Sequence, residues 1–84
     1  MKVTVVRTLI QDEEYPDRRR VGFVLQGETH GQSTTYGEAR GLEIELEAID
    51  GVELKRVLNY NYSDAWTKDF SIISHVKNLI NEEG

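Results

Sequence analysis

The chain has 84 residues and no cysteine, which fits one domain over residues 1–84 that buries about 60% of its unfolded surface and excludes disulfide staples and thiolate metal sites. Its formal net charge is −5, with residues 1–40 balanced at six basic and six acidic side chains and residues 41–84 carrying four basic against nine acidic. An acidic domain repels phosphate backbones at long range, which disfavours general DNA or RNA binding. No apolar run reaches bilayer-spanning length and no signal-peptide core opens the chain, so the expectation is a cytoplasmic protein that does not use a membrane.

Residues 2–10 place Val3, Val5 and Leu9 on one face and Thr4, Val6 and Thr8 on the other, the period of two that a β-branched strand shows. Residues 11–19 read as a loop punctuated by Tyr15, Pro16 and Asp17, in which Asp12, Glu13 and Glu14 nearly cancel Arg18, Arg19 and Arg20. Val21, Phe23 and Leu25 predict a second strand antiparallel to the first. A turn follows over residues 27–31, and the threonine-rich residues 32–36 suit a short third strand, because a structureless connection from 27 to 41 would be unusually long in a small domain.

Residues 42–58 can be read in two ways. Leu42, Ile44, Leu46 and Ala48 alternate with Glu43, Glu45 and Glu47, and alternation resumes after Asp50 and Gly51 with Val52 and Leu54, which predicts a hairpin. A three-residue loop over 49–51, with Gly51 at positive φ, pairs Leu46 with Leu54 and keeps the glutamates together on the wet face. The competing reading is a short helix between Gly41 and Gly51, since Ala39, Leu42, Leu46 and Ile49 also share one helical face. The hairpin is the preferred expectation.

From Trp66 onward, Trp66, Phe70, Ile73, Val76 and Ile80 fall on one stripe at helical spacing, with Ser63 or Asp64 as N-cap and Asp69 as a later start. The fold class expected is therefore α+β, an antiparallel meander of four or five strands with one C-terminal helix packed across one face.

No catalytic signature, phosphate loop or cofactor motif is present, so the chain reads as a non-enzymatic module that needs no cofactor and no metal. His30 and His75, the two histidines, are not at metal-ligand spacing, and both read as exposed surface residues. The leading expectation is a protein–protein interaction module that binds an unknown protein partner through an acidic hairpin face (Glu43, Glu45, Glu47 and Glu53) or through an uncovered sheet face carrying Val6, Ile10 and Val24. Homodimerisation is part of that expectation, because the first strand looks long and unprotected at its edge. The runner-up is a single-stranded nucleic-acid-binding domain that uses Arg18, Arg19 and Arg20 for phosphates, with Tyr60 and Tyr62 stacking on bases. Trp66 reads as a plug at the rim of the core, and alternatively as an interface anchor.

Overall fold

The computed structural model describes residues 2–12, 14, 15, 17–58 and 65–83. Its elements, in chain order, are β1 (Val3–Gln11), β2 (Arg19–Leu25), β3 (His30–Thr34), α1 (Tyr36–Ala48), β4 (Val52–Arg56), β5 (Ala65–Thr67) and α2 (Ile72–Glu83). The expected positions of Tyr60, Tyr62, Ser63 and Asp64 lie outside the described residues.

The first three strands form the antiparallel meander that the alternation predicts. Val5 pairs with Leu25 and Leu9 with Val21, while Val21 pairs with Thr34 and Phe23 with Gln32. The third strand starts two residues earlier than its threonines suggest.

The hairpin over residues 42–58 does not form. Its first half is α1, and the whole sheet is mixed, in the order β4-β1-β2-β3-β5, with β4 parallel to β1 and β5 parallel to β3. There are also two helices among the described residues, so the antiparallel meander with a single helix is corrected to a five-stranded mixed sheet with two. The physical reason is local and topological at once. Thr35 stands in extended backbone (φ −78°, ψ 165°) and its hydroxyl accepts the N–H of Glu38 at 3.2 Å, a helix start written as Thr-x-x-Glu. Once the helix begins at Tyr36, Ala39 and Leu46 are fully buried with Leu42 and Ile49 beside them, and the helical reading of those residues holds, although Gly41 lies inside the helix and does not bound it. Since β3 and β4 then run parallel, a helical crossover must join them, which a tight turn cannot do. Gly51 does take positive φ, at 92°, but it turns a helix into a strand.

The C-terminal helix begins later than the stripe from Trp66 suggests. Ser71 holds its first turn, accepting the Ser74 N–H at 3.3 Å, and the Gln32 side-chain oxygen on β3 accepts the Ile72 N–H at 3.0 Å. Ile72 and Val76 are fully buried, and Ile73, Leu79 and Ile80 pack against the core beside them. Trp66 belongs to β5 instead, opposite Gly31.

Both helices cover one face, made by Val3, Val5, Val21, Phe23 and Leu25, and each large side chain buried there contributes about 2 kcal/mol before entropy. The opposite face is closed too, which corrects the expected uncovered sheet face. Val6 and Val24 are 1% and 0% exposed, and Ile10 is half-buried. The Trp66 indole lies directly over Gly22 and Gly31 on this side, and the Leu58 carbonyl reaches the Thr8 hydroxyl at 3.4 Å. β1 sits between β4 and β2, so it offers no free edge for strand pairing.

Candidate interaction surface

The four glutamates expected to form one acidic face are dispersed by the helix. Glu43 is 7% exposed and turned into the protein, where Oε1 lies 3.1 Å from Arg56 Nε and 3.0 Å from Arg7 Nε. The second distance is that of an ion pair, yet the Arg7 Nε–H is not directed at an acceptor and makes no hydrogen bond; charge proximity holds Arg7, and geometry does not. One turn along, Glu47 Oε1 meets Arg56 Nη2 at 3.4 Å. Glu45 lies about 200° around the helix from Glu43 and is exposed. Glu53 stands on β4, on the sheet face away from the helices, and pairs with Lys2 at 3.2 Å. This last pair is solvated on both sides and contributes little.

The basic loop is dispersed as well. The Arg18 guanidinium stacks on Tyr15, 4.7 Å from the ring centroid. Arg19 is exposed at the start of β2, and Arg20 is tied to Ser33 through Nε to Oγ at 2.7 Å and Nη2 to the carbonyl at 3.3 Å. Arg20 does line a cleft of about 120 Å³ with Trp66, Ser33 and Lys68, but Asp12 and Glu14 line it too, so its two cations face two carboxylates and a phosphate gains no net attraction there.

The Asp12 carboxyl is held below its ordinary 3.8, first by the Tyr15 N–H and further by the Glu14 N–H, Arg20 and Lys68, with desolvation opposing. The two backbone bonds measure 3.1 and 2.8 Å. A carboxyl depressed in the folded state adds stability above its unfolded value, and that stability is lost as the pH falls through the lower folded value. Asp12→Asn is therefore expected to lower stability at neutral pH and to flatten its fall between about pH 5 and pH 2, so that variant and parent converge at the acid end in urea unfolding. An acid limb identical to that of the parent chain would show that Asp12 does not contribute to it.

His75 is not a freely exposed histidine. Its Nε2 lies 2.9 Å from Glu28 Oε1 and its ring packs at 5.3 Å from Phe70. His30 is exposed at the start of β3. Among the described residues no group of three His, Cys, Asp or Glu side chains is placed to hold a metal ion, and no helix is long and apolar enough to cross a membrane.

Among the described residues β4 and β5 are the outer strands of the sheet, and β4 is the longer. Val3 N–H donates to the Gly51 carbonyl at 2.8 Å and Val57 N–H to the Arg7 carbonyl at 2.9 Å, so the odd-numbered residues of this segment turn their main-chain groups toward β1. Val52, Leu54 and Arg56 turn theirs outward. The Val52 N–H is taken by the Ile49 carbonyl at 3.2 Å. The Val52 carbonyl and both main-chain groups of Leu54 and Arg56 have no strand beside them among the described residues.

Arg56 reaches from this edge to Glu47, which places the Glu43–Glu47 side of α1 above the edge. Arg40 and Ile44 lie along this side of the helix at a spacing of four residues, whereas Tyr36 opens the helix just after β3, which β1 and β2 separate from β4. Tyr36 is 54% and Ile44 61% exposed. Of the glutamates expected at the surface, Glu47 and Glu53 flank this edge, Glu43 lies beneath it and Glu45 lies on the far side of the helix. The sequence carries no sign of the edge itself, because alternation within a strand does not tell which neighbour it pairs with or in which direction.

Neither protein-family models, nor curated proteins, nor solved structures match this chain.

Proposed function

We propose that the chain is a non-enzymatic protein–protein interaction module that docks through the β4 edge and the adjoining side of α1. The observation that carries this reading is the row of outward main-chain groups at Val52, Leu54 and Arg56 beside a helix that exposes Ile44. An edge of this kind accepts an added strand: main-chain hydrogen bonds supply affinity, and the side chains beside them supply selectivity. An apolar side chain on the flanking helix adds burial to the same contact.

Lys55 and Glu53 on the edge could serve only to blunt it, as charged edge residues commonly do. The docking reading takes the exposed Ile44 beside that edge as added apolar contact for a strand-pairing partner. The nucleic-acid alternative has less support, because Arg18, Arg19 and Arg20 are directed to Tyr15, solvent and Ser33 respectively.

A photo-reactive amino acid placed at Ile44 tests the reading, with the same probe at Glu45 as control. Irradiation in cells is expected to trap a discrete protein adduct at position 44 and none at 45. Equal labelling at both positions, or none at 44, would defeat the proposal.

A further inference from the structure

We infer that the partner at this surface is a second copy of the chain, joined by antiparallel β4–β4 pairing about a two-fold axis through Leu54. This inference rests on the docking surface proposed above and adds the identity of what it binds.

The register follows from the free groups. An antiparallel pair alternates between residues that exchange both main-chain hydrogen bonds and residues that exchange none. Leu54 has both groups directed outward, so it can be its own partner on the axis. Two bonds then join Leu54 to Leu54 of the second copy, and the Arg56 N–H on each side reaches the Val52 carbonyl on the other. The Val52 N–H, already bonded to Ile49, is not required.

The side chains fit the same axis. With Leu54 on the two-fold, Glu53 falls opposite Lys55 of the second copy, twice, in the non-hydrogen-bonded positions where side chains approach most closely. Both residues are exposed. An axis one residue to either side would set like residues opposite each other, Glu53 on Glu53 or Lys55 on Lys55. The charges therefore select the register that the main chain selects.

The helix agrees independently. The turn over residues 49–51 brings the end of α1 beside the start of β4, with the Ile49 carbonyl bonded to the Val52 N–H. Moving back four to five residues along the helix at 1.5 Å each covers about 7 Å, and moving forward two residues along the strand at 3.3 Å each covers about 7 Å. The level of Leu54 is thus the level between Glu43 and Ile44. Two antiparallel α1 helices centred there bring Ile44 against Ile44 and set Arg40 opposite Glu47 of the second copy, again twice. Glu43 contacts both Arg7 on β1 and Arg56 on β4, so the helix lies over the junction of those strands. With strands about 4.8 Å apart, the two helices then stand about 10 Å from each other, a distance at which helices pack.

Charge exchange tests the axis. Lys55→Glu leaves two acids on the edge strand and Glu53→Lys leaves two bases, so neither variant complements itself, while an equimolar mixture pairs every acid with a base. Sedimentation velocity on the full chain is expected to show a dimer of twice 9.6 kDa, with a dissociation constant about ten-fold higher in each variant alone and restored in the mixture. Circular dichroism confirms that both variants stay folded. A parent chain that remains monomeric at about 0.5 mM, variants that associate like the parent, or a mixture that does not recover would each overturn the inference. A monomeric chain that still forms an adduct with a different protein at Ile44 would overturn the second copy alone and leave the docking surface standing.

Discussion

Truncating Glu43 to alanine is expected to destabilise the domain by about 3 kcal/mol, a fall in Tm of about 15 °C for a chain of this size. The carboxylate oxygen stands within 3.0 Å of Arg7 Nε and 3.1 Å of Arg56 Nε, but the two arginines do not depend on it equally. Arg56 is 57% exposed at its side chain and also meets Glu47, so water and a second carboxylate compensate for the loss. The Arg7 side chain is 23% exposed, stands on the helix-covered face between Val5 and Leu9, and its Nε already lacks a hydrogen bond. Without Glu43 its largely buried charge loses the carboxylate that faces it, and that is where the loss arises. Arg56→Ala should accordingly cost less than about 1 kcal/mol. The double change Glu43→Leu with Arg7→Leu should recover most of the stability, because an apolar pair of similar volume replaces a buried ion pair at little cost. Urea unfolding of the four variants decides the matter. If Arg56→Ala proves as costly as Glu43→Ala, the cluster works as a surface bridge and Arg7 is not its centre.

That cluster also shows where sequence reading stops. Period-two alternation marks β1 and β2 correctly because their side chains face two layers, both dry enough to select β-branched residues. The same alternation at residues 42–48 arises for a different reason: Glu43 is drawn inward by Arg7, Glu45 faces water and Glu47 meets an edge strand. Three glutamates that look equivalent on a strand acquire three environments on a helix. What could have decided between the readings was upstream, in the Thr35-x-x-Glu38 start, together with the need for a crossover once four strands had to share one sheet. Gly51 was legible as a left-handed position on the hairpin reading, and it takes that conformation where α1 turns into β4. The pairing direction of β4 was not legible, and with it the free edge stayed hidden.

Alanine at Gly31 is the second change expected to be severe, and Trp66 is the reason. A Cβ at Gly31 would overlap the indole at Cζ3 and come within 2.7 Å of the Phe23 carbonyl oxygen, whereas the three atoms nearest to one at Gly22 all belong to the indole, at 2.5–2.9 Å. Glycines inside strands mark close approach by something else, and here the ring lies across two of them like a lid. Gly31→Ala is expected to cost about 3 kcal/mol and Gly22→Ala about 1.5 kcal/mol, within the range for overpacking. The two should respond differently when Trp66 is replaced by alanine. In that background the Gly22 position is relieved of its clash, and the added methyl should become neutral or slightly stabilising by restraining the unfolded chain. The Gly31 position still faces the Phe23 carbonyl and should remain unfavourable, so a double-mutant cycle gives a large coupling for both but a full rescue for only one. The chain has a single tryptophan, which makes its fluorescence an unmixed report of whether the ring leaves its seat in either glycine variant. A Gly22→Ala protein as stable as the parent, with unchanged emission, would mean the indole is not seated on the sheet and is available as an interface anchor. The expected loss instead makes Trp66 the cover of the second sheet face.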